Sequence, residues 1–198
     1  MTEAEWLDSD DLPALWEVAR ARLSHRQLRL FGVAYCGFLR KTPHWQDVVV
    51  FEPWAELAAD GKMTLDEAHA AVQSEQDQDH FFRGLLADDP ASRRGPSVTG
   101  ILALSLGTPD AYQKAQQILR CIAGNPFRPT VLDSVWRTAN VIALAQTIYD
   151  DRAFDRLPIL ADALEDAGCT DRAILDHCRQ PGEHTRGCWV VDLVLGKE

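Results

Sequence analysis

The stretch TPDAYQKAQQILRCIAGNP, residues 108–126, contains the signals of an α-helix in the order in which a helix needs them. Thr108 can cap the first turn, and Pro109 then occupies the first helical position, where a missing N–H costs nothing. Gly124 ends the pattern. The apolar side chains between them recur at helical spacing, namely Ala111, Ala115, Ile118, Leu119 and Ile122. We predict a helix here with one buried face.

Similar patterns fill most of the remaining chain. Apolar-periodic runs bounded by capping residues, glycine or proline occur at residues 9–23, 24–41, 53–62, 63–89, 131–151, 154–169 and 170–182. We count eight to ten helices and no β-hairpin pattern, so the predicted fold class is all-α, a compact multi-helix bundle. Two valine-rich segments, 48–51 and 189–195, stay open between helix and strand.

Several helix ends are predicted from single residues. Ser24 is the expected N-cap of the helix that follows it, and Thr64 with Glu67 matches a capping box. Gly168 is the expected C-cap that separates two short helices, and Thr170 is the expected N-cap of the second.

The clearest linker pattern is DDPASRRGPSV, residues 88–98, because it combines proline, glycine and charge with no apolar periodicity. We therefore predict an N-terminal helical half over residues 1–88 and a C-terminal helical half over 98–198. At 198 residues, the two halves are expected to form one structural domain.

Composition and charge argue against several classes of partner. A formal net charge of −10 repels nucleic-acid phosphates and anionic lipid head groups. One basic segment, residues 18–41, carries six Lys/Arg and no acid, which leaves RNA binding as a weaker alternative to a solvated helix face. No apolar run approaches the roughly 20 residues of a membrane span, so no membrane association is expected.

The compartment is predicted from the N-terminus and the cysteines. The first residues are acidic and do not resemble a signal peptide, so a cytoplasmic location is expected. The five cysteines are then expected to stay reduced. No nucleophile elbow, phosphate-binding loop or His-Glu-x-x-His pattern is present, and the function prediction therefore leans away from an enzyme.

Chemistry-bearing residues concentrate in CTDRAILDHCRQPGEHTRGCW, residues 169–189, which contains three cysteines and two histidines. The spacing C-x8-C-x5-H-x3-C, through Cys169, Cys178, His184 and Cys188, resembles a four-ligand zinc pattern. A helix between the first two cysteines would separate them by about 13 Å, too far for both to bind one ion.

A smaller set of candidate metal ligands is compatible with this helix: Cys178, His184 and Cys188. His177 is adjacent to Cys178 but points roughly 100° away around a helix, so we expect it to be a poor fourth ligand. The competing interpretation is a packed core, because cysteine is among the most buried residue types.

Five longer strings carry a resemblance to a known group of proteins. They are MTEAEWL (1–7), RQLRLFGVAYC (26–36), GNPFRP (124–129), LAQTIYDDRAFDRLPILADALEDAGC (144–169) and ILDHCRQPGEHTRGCWVVDLVLGK (174–197). Together they resemble a paralogous family of small, uncharacterised planctomycete proteins. The resemblance covers both ends and most of the second half, but not residues 82–108. It implies a self-contained cytosolic domain and no particular activity.

Two main functions are predicted from these observations, beside the weaker alternative of RNA binding through the basic segment. The first is a non-enzymatic interaction or regulatory module that binds a protein partner, with no cofactor. The alternative is a zinc-binding protein that uses the Cys/His cluster of the tail. Nucleic-acid binding is not expected under either hypothesis.

Overall fold

The computed structural model describes residues 1–39, 52–64, 66–68 and 109–197. The fold class is all-α, as predicted. Nine α-helices have both their first and their last residue in these described ranges: α1 (Glu3–Asp8), α2 (Leu12–Arg20), α3 (His25–Leu39), α4 (Glu52–Ala59), α5 (Pro109–Ala123), α6 (Ala139–Asp151), α7 (Leu157–Asp166), α8 (Arg172–Arg179) and α9 (Trp189–Leu195). Short 3₁₀ turns occur at Ser134–Trp136 and Phe154–Arg156.

The chain divides into two compact units, Met1–Leu119 and Arg120–Glu198, so the division falls within α5. The predicted linker at 88–98, the cap at Thr108 and the helix-or-strand segment at 48–51 all lie outside the described residues. The domain boundary derived from that linker stays a prediction.

In the first unit, the helix ends follow the local signals. The Thr2 and Glu5 side chains form a reciprocal capping box at α1, and Ser24 and Gln27 do the same before α3. The predicted capping box of Thr64 and Glu67 is also present, with both reciprocal bonds made.

The core of the first unit is built on the apolar stripe of α3. Leu28, Phe31, Tyr35 and Leu39 recur at helical spacing and are all buried. The Trp16 ring of α2 packs against Phe31 with centroids 5.1 Å apart. Helix α3 packs on α4, where an ion pair joins Arg26 Nη2 to Asp60 Oδ1 at 3.4 Å.

The second unit surrounds a separate apolar core. Helix α7 packs on α6 and α8, and α9 packs on α6. The fully buried core side chains include Val141, Ala145, Ile148, Leu157, Leu160, Leu164, Ile174, Val190, Val191 and Val194. The second unit therefore has an apolar core of its own.

Two details of the second unit concern the predicted helix ends. Gly168 ends α7 with a φ of +90°, and the Cys169 amide donates back to the Leu164 carbonyl. The N-cap of α8 is Asp171 and not Thr170, because the Asp171 carboxylate accepts from two amides, those of Ala173 and Ile174.

The valine-rich tail is a helix, which resolves one of the two open segments. In α9 the Asp192 amide donates to the Cys188 carbonyl, and Gly196 ends the helix with a φ of +67°. The Arg137 guanidinium donates to the Val194 carbonyl at 2.9 Å and thereby satisfies a C-terminal acceptor of α9. The valines at 190, 191 and 194 face the core at helical spacing.

Candidate metal centre

Four side chains from separate parts of the second unit converge on one point. Cys121 lies in the last turn of α5, His177 in the last turn of α8, His184 in the following loop, and Cys188 at the N-cap of α9. One potential ligand atom from each residue lies within 4.8 Å of all the others. The set contains two sulfurs and two imidazole nitrogens, which are the donors that zinc prefers.

Two sulfur–nitrogen distances within the group match the edges of a zinc tetrahedron. Cys121 Sγ is 3.5 Å from His184 Nδ1, and Cys188 Sγ is 3.3 Å from His177 Nε2. With zinc about 2.3 Å from sulfur and about 2.0–2.1 Å from nitrogen, a tetrahedral S–N edge is about 3.6 Å. Since no pair exceeds 4.8 Å, the widest pair needs to close by no more than about 1.5 Å to reach tetrahedral geometry.

Three of the four residues are withdrawn from solvent. Cys188 is 0% exposed, Cys121 3% and His177 9%, whereas His184 is half-buried. A buried cluster of polarisable and polar donors is costly unless its members satisfy one another or bind an ion. Because His184 is the most exposed of the four residues, an ion can reach the cluster from the side of His184.

The two thiols have opposite electrostatic surroundings. Burial by itself would raise the pKa of Cys188, but hydrogen bonds with Cys121, His177 and His184 outweigh it and hold that pKa well below its usual range. The hydrogen bond to Cys188, together with burial, raises the pKa of Cys121. Both shifts arise from contacts within the cluster, because the sulfurs of Cys121 and Cys188 are hydrogen-bonded to each other.

Aromatic packing fixes the orientation of the imidazole of His177. The His184 ring meets it edge to face with centroids 4.9 Å apart, and the Trp189 ring lies 5.2 Å away on another side. On the edge away from Cys188, Nδ1 of His177 is 3.1 Å from the amide nitrogen of Gln180. Both ring nitrogens of His177 therefore have a defined neighbour.

The loop that carries His184 and Cys188 is tied to the end of α6. The Arg186 guanidinium donates to the carbonyls of Tyr149 and Asp150 at 3.2 and 3.4 Å. It also lies over the Tyr149 ring, 4.8 Å from the centroid. A turn closes the loop, because the Cys188 amide donates to the Thr185 carbonyl at 2.9 Å. These contacts set the separation of the two candidate ligands in the loop.

The structure brings together two of the three predicted ligands. His184 and Cys188 belong to the group of four, whereas Cys178 is buried but is not one of its members. Cys169, which was excluded by the helix argument, is not a member either. The predicted set of Cys178, His184 and Cys188 stays a prediction, and the variant series below compares it with the observed group.

One expectation about this region is corrected. We expected His177 to be a poor ligand because it points away from Cys178, but His177 Nε2 lies beside Cys188 Sγ. His177 and Cys178 lie on different faces of α8, as expected for adjacent residues of a helix. The His177 face is the one that meets the cluster. Burial raises the pKa of the Cys178 thiol, which suits a packed core residue.

Cys121 was not identified from the sequence. It occurs inside the apolar stripe of residues 108–126, where a cysteine is most simply a core residue. One sequence feature could have pointed to Cys121 as a candidate ligand. It lies in the last turn of a helix that ends in Gly124, where a side chain can face a neighbouring loop.

Comparisons with known proteins give no external assignment for this site. No protein-family model, no curated protein and no solved structure matches the chain. Among the helices that the structure describes, none has both the length and the apolar character that crossing a bilayer requires. The function is therefore inferred from the geometry of the four side chains.

Proposed function

We propose that residues 120–198 bind one Zn²⁺ through Cys121, His177, His184 and Cys188, and that the ion has a structural role. The observation that carries this proposal is the convergence of all four ligand atoms within 4.8 Å. Four protein ligands complete a tetrahedral shell and leave no open position for substrate, which is typical of structural and not catalytic zinc.

Zinc fits this donor set better than the other common divalent ions. Magnesium and calcium prefer oxygen ligands, and the group contains none. Two thiolates neutralise the charge of the ion inside a buried pocket, and tetrahedral S2N2 geometry favours zinc among the first-row metals.

The ion would connect three helices and one loop of the unit. Cys121 belongs to α5, His177 to α8, and Cys188 begins α9, so one ion would fix the ends of all three. Structural zinc contributes on the order of 10 kcal/mol in small domains that lack a core. Since this unit has its own apolar core, we expect zinc to raise its stability and not to be the sole cause of folding.

The test is the metal content of untagged, full-length protein. Elemental analysis is expected to find one zinc per chain, and replacement by Co²⁺ is expected to give the visible absorption bands of a tetrahedral, thiolate-bound ion. A chelator is expected to lower the thermal unfolding midpoint, because zinc that binds only the folded state stabilises it. Protein that takes up neither metal would contradict the proposal.

A matched pair of variants identifies the ligands. Cys121 and Cys178 are both buried thiols of the same unit, so Cys121→Ala and Cys178→Ala remove similar packing. We expect Cys121→Ala to lose zinc and Cys178→Ala to keep it. The opposite result would support the ligand set of Cys178, His184 and Cys188 and reject the one proposed here.

The remaining expectations stay predictions. A role in protein interaction, a cytoplasmic location and the resemblance to the planctomycete family are compatible with a structural zinc. The four-residue cluster bears on none of them. A zinc-stabilised unit with its own core would be a suitable scaffold for an interaction module, because rigid scaffolds position binding surfaces.

A further inference from the structure

His177 is held through both of its ring nitrogens. Nε2 lies 3.3 Å from Cys188 Sγ, and Nδ1 lies 3.1 Å from the side-chain nitrogen of Gln180. An amide nitrogen only donates hydrogen bonds, so Nδ1 must accept one in this arrangement. The ring proton of neutral His177 is then on Nε2, where it points at the Cys188 sulfur.

Zinc requires the other tautomer of the same ring. To bind the ion, Nε2 must offer its lone pair, and the ring proton must move to Nδ1. A protonated Nδ1 needs an acceptor, which the Gln180 amide supplies when it turns over and presents its oxygen. Gln180 is exposed, so this turn displaces no packed neighbour.

We infer that Gln180 is the positioning residue of the zinc site, because its amide selects which nitrogen of His177 carries the proton. With the amide nitrogen toward Nδ1, His177 is bonded to Cys188; with the amide oxygen toward Nδ1, Nε2 is free for the metal. Groups that orient a metal-bound histidine in this way typically change metal affinity 10–100-fold. This inference rests on the proposed zinc function.

The first measurement compares zinc affinity in three variants of the full-length protein. Gln180→Leu removes both amide functions, and we expect affinity to fall about tenfold, at the lower end of the usual range because water can reach an exposed position. Gln180→Glu keeps an acceptor and is expected to retain the parent affinity or exceed it. Gln146→Leu is the control, since the Gln146 amide bonds to Asp150 on α6.

The affinity results have two outcomes that would overturn the inference. One is parent-like zinc affinity in Gln180→Leu. The other is an equal loss in Gln180→Glu and Gln180→Leu, which would indicate that the side chain only fills space. A tenfold loss in Gln180→Leu with rescue by Gln180→Glu supports it.

The second measurement reads the tautomer directly in metal-free protein from the ¹⁵N chemical shifts of His177. We expect the Nε2–H form in the parent protein and the Nδ1–H form in Gln180→Glu, because a carboxylate can only accept. The same tautomer in both proteins would overturn the inference. This comparison needs no metal, so its failure is distinct from a failure of the parent protein to bind zinc.

Discussion

The Trp189 ring lies directly against the backbone of Gly124. A Cβ atom built on Gly124 would be 3.1 Å from Cγ of Trp189, closer than ordinary side-chain contacts, and Gly124 has a φ of +61°. Gly124 follows Cys121 by one helical turn, and Trp189 follows Cys188 directly. This contact therefore fixes how closely the ends of the two cysteine-bearing segments approach each other.

Replacing this glycine is expected to destabilise the protein for two separable reasons. Gly124→Ala adds the cost of a left-handed backbone and a clash with the indole, together about 2–4 kcal/mol. Gly196→Ala is the matched control, because its φ is +67° but its nearest neighbour, Arg137 Nη2, is at an ordinary 3.6 Å. We expect about 1 kcal/mol there, the cost of the left-handed backbone alone. Urea unfolding of both variants measures the difference, and equal losses would contradict the role of the Trp189 contact.

Arg186 is expected to act on zinc affinity without being a ligand. Its guanidinium joins the loop of His184 and Cys188 to the last carbonyls of α6. In Arg186→Gln we expect a loss of about 1–2 kcal/mol in unfolding free energy, because two charge-assisted bonds disappear. We also expect a several-fold weaker zinc affinity, since the loop is less constrained.

The control for Arg186 is an arginine whose contacts are exposed. Arg172 is paired to Asp176 at 4.0 Å on the surface of α8, so Arg172→Gln is expected to cost less than about 0.5 kcal/mol. Competition of each variant with a colorimetric zinc chelator gives the affinities. If Arg186→Gln binds zinc as tightly as Arg172→Gln does, the loop is not held by Arg186.

The helices were predictable because their signals are local. The cap at Ser24, the stripe of Leu28 and Phe31, and the end of α5 at Gly124 each depend on residues within a few positions of one another. The wrong prediction of Thr170 as an N-cap also concerns neighbouring residues. Two residues that can cap a helix stand side by side, and Asp171 is the one that accepts hydrogen bonds from two amides.

The cluster of four Cys/His residues was only partly predictable, because two members lie close together in the chain and another comes from a distant helix. His184 and Cys188 lie close together in the chain, so their spacing was visible. Cys121 reaches them through tertiary packing of α5, which no local pattern encodes. The choice between His177 and Cys178 depends on which face of α8 meets Cys188, and both residues are buried, so amphipathicity could not decide it.

A substitution in the ion pair of the first unit tests whether zinc binding depends on the second unit alone. The Asp60 side chain is 2% exposed and pairs with Arg26, so Asp60→Asn is expected to cost about 3 kcal/mol by removing the charge of one member of a buried ion pair. Glu17→Gln, which breaks an exposed pair with Arg20, is the control and should cost less than about 1 kcal/mol.

Zinc affinity is expected to be unchanged in both of these variants. All four proposed ligands belong to residues 120–198, and neither substitution touches that range. Isothermal titration of the metal-free proteins checks this. A fall in affinity for Asp60→Asn as large as that for a ligand substitution would show that the site depends on the first unit.

The capping box of α1 predicts a specific pH dependence. The Thr2 amide donates to the Glu5 carboxylate at 2.7 Å and lowers the Glu5 pKa below its ordinary value. A lowered pKa means that this contribution to helix stability is present above the ordinary pKa and is lost as the pH falls through the lowered one. An NMR titration of Glu5 is expected to show the lowered pKa, and Thr2→Pro, which removes the amide donor, to reverse it. An ordinary value in the parent protein would contradict the capping box.

X-ray absorption at the zinc edge measures which atoms surround the ion. For zinc-loaded, full-length protein we predict two sulfurs at about 2.3 Å and two imidazole nitrogens at about 2.0–2.1 Å, with no oxygen ligand. A shell with one imidazole and an oxygen, as Cys178, His184 and Cys188 with water would give, would contradict the four-residue site.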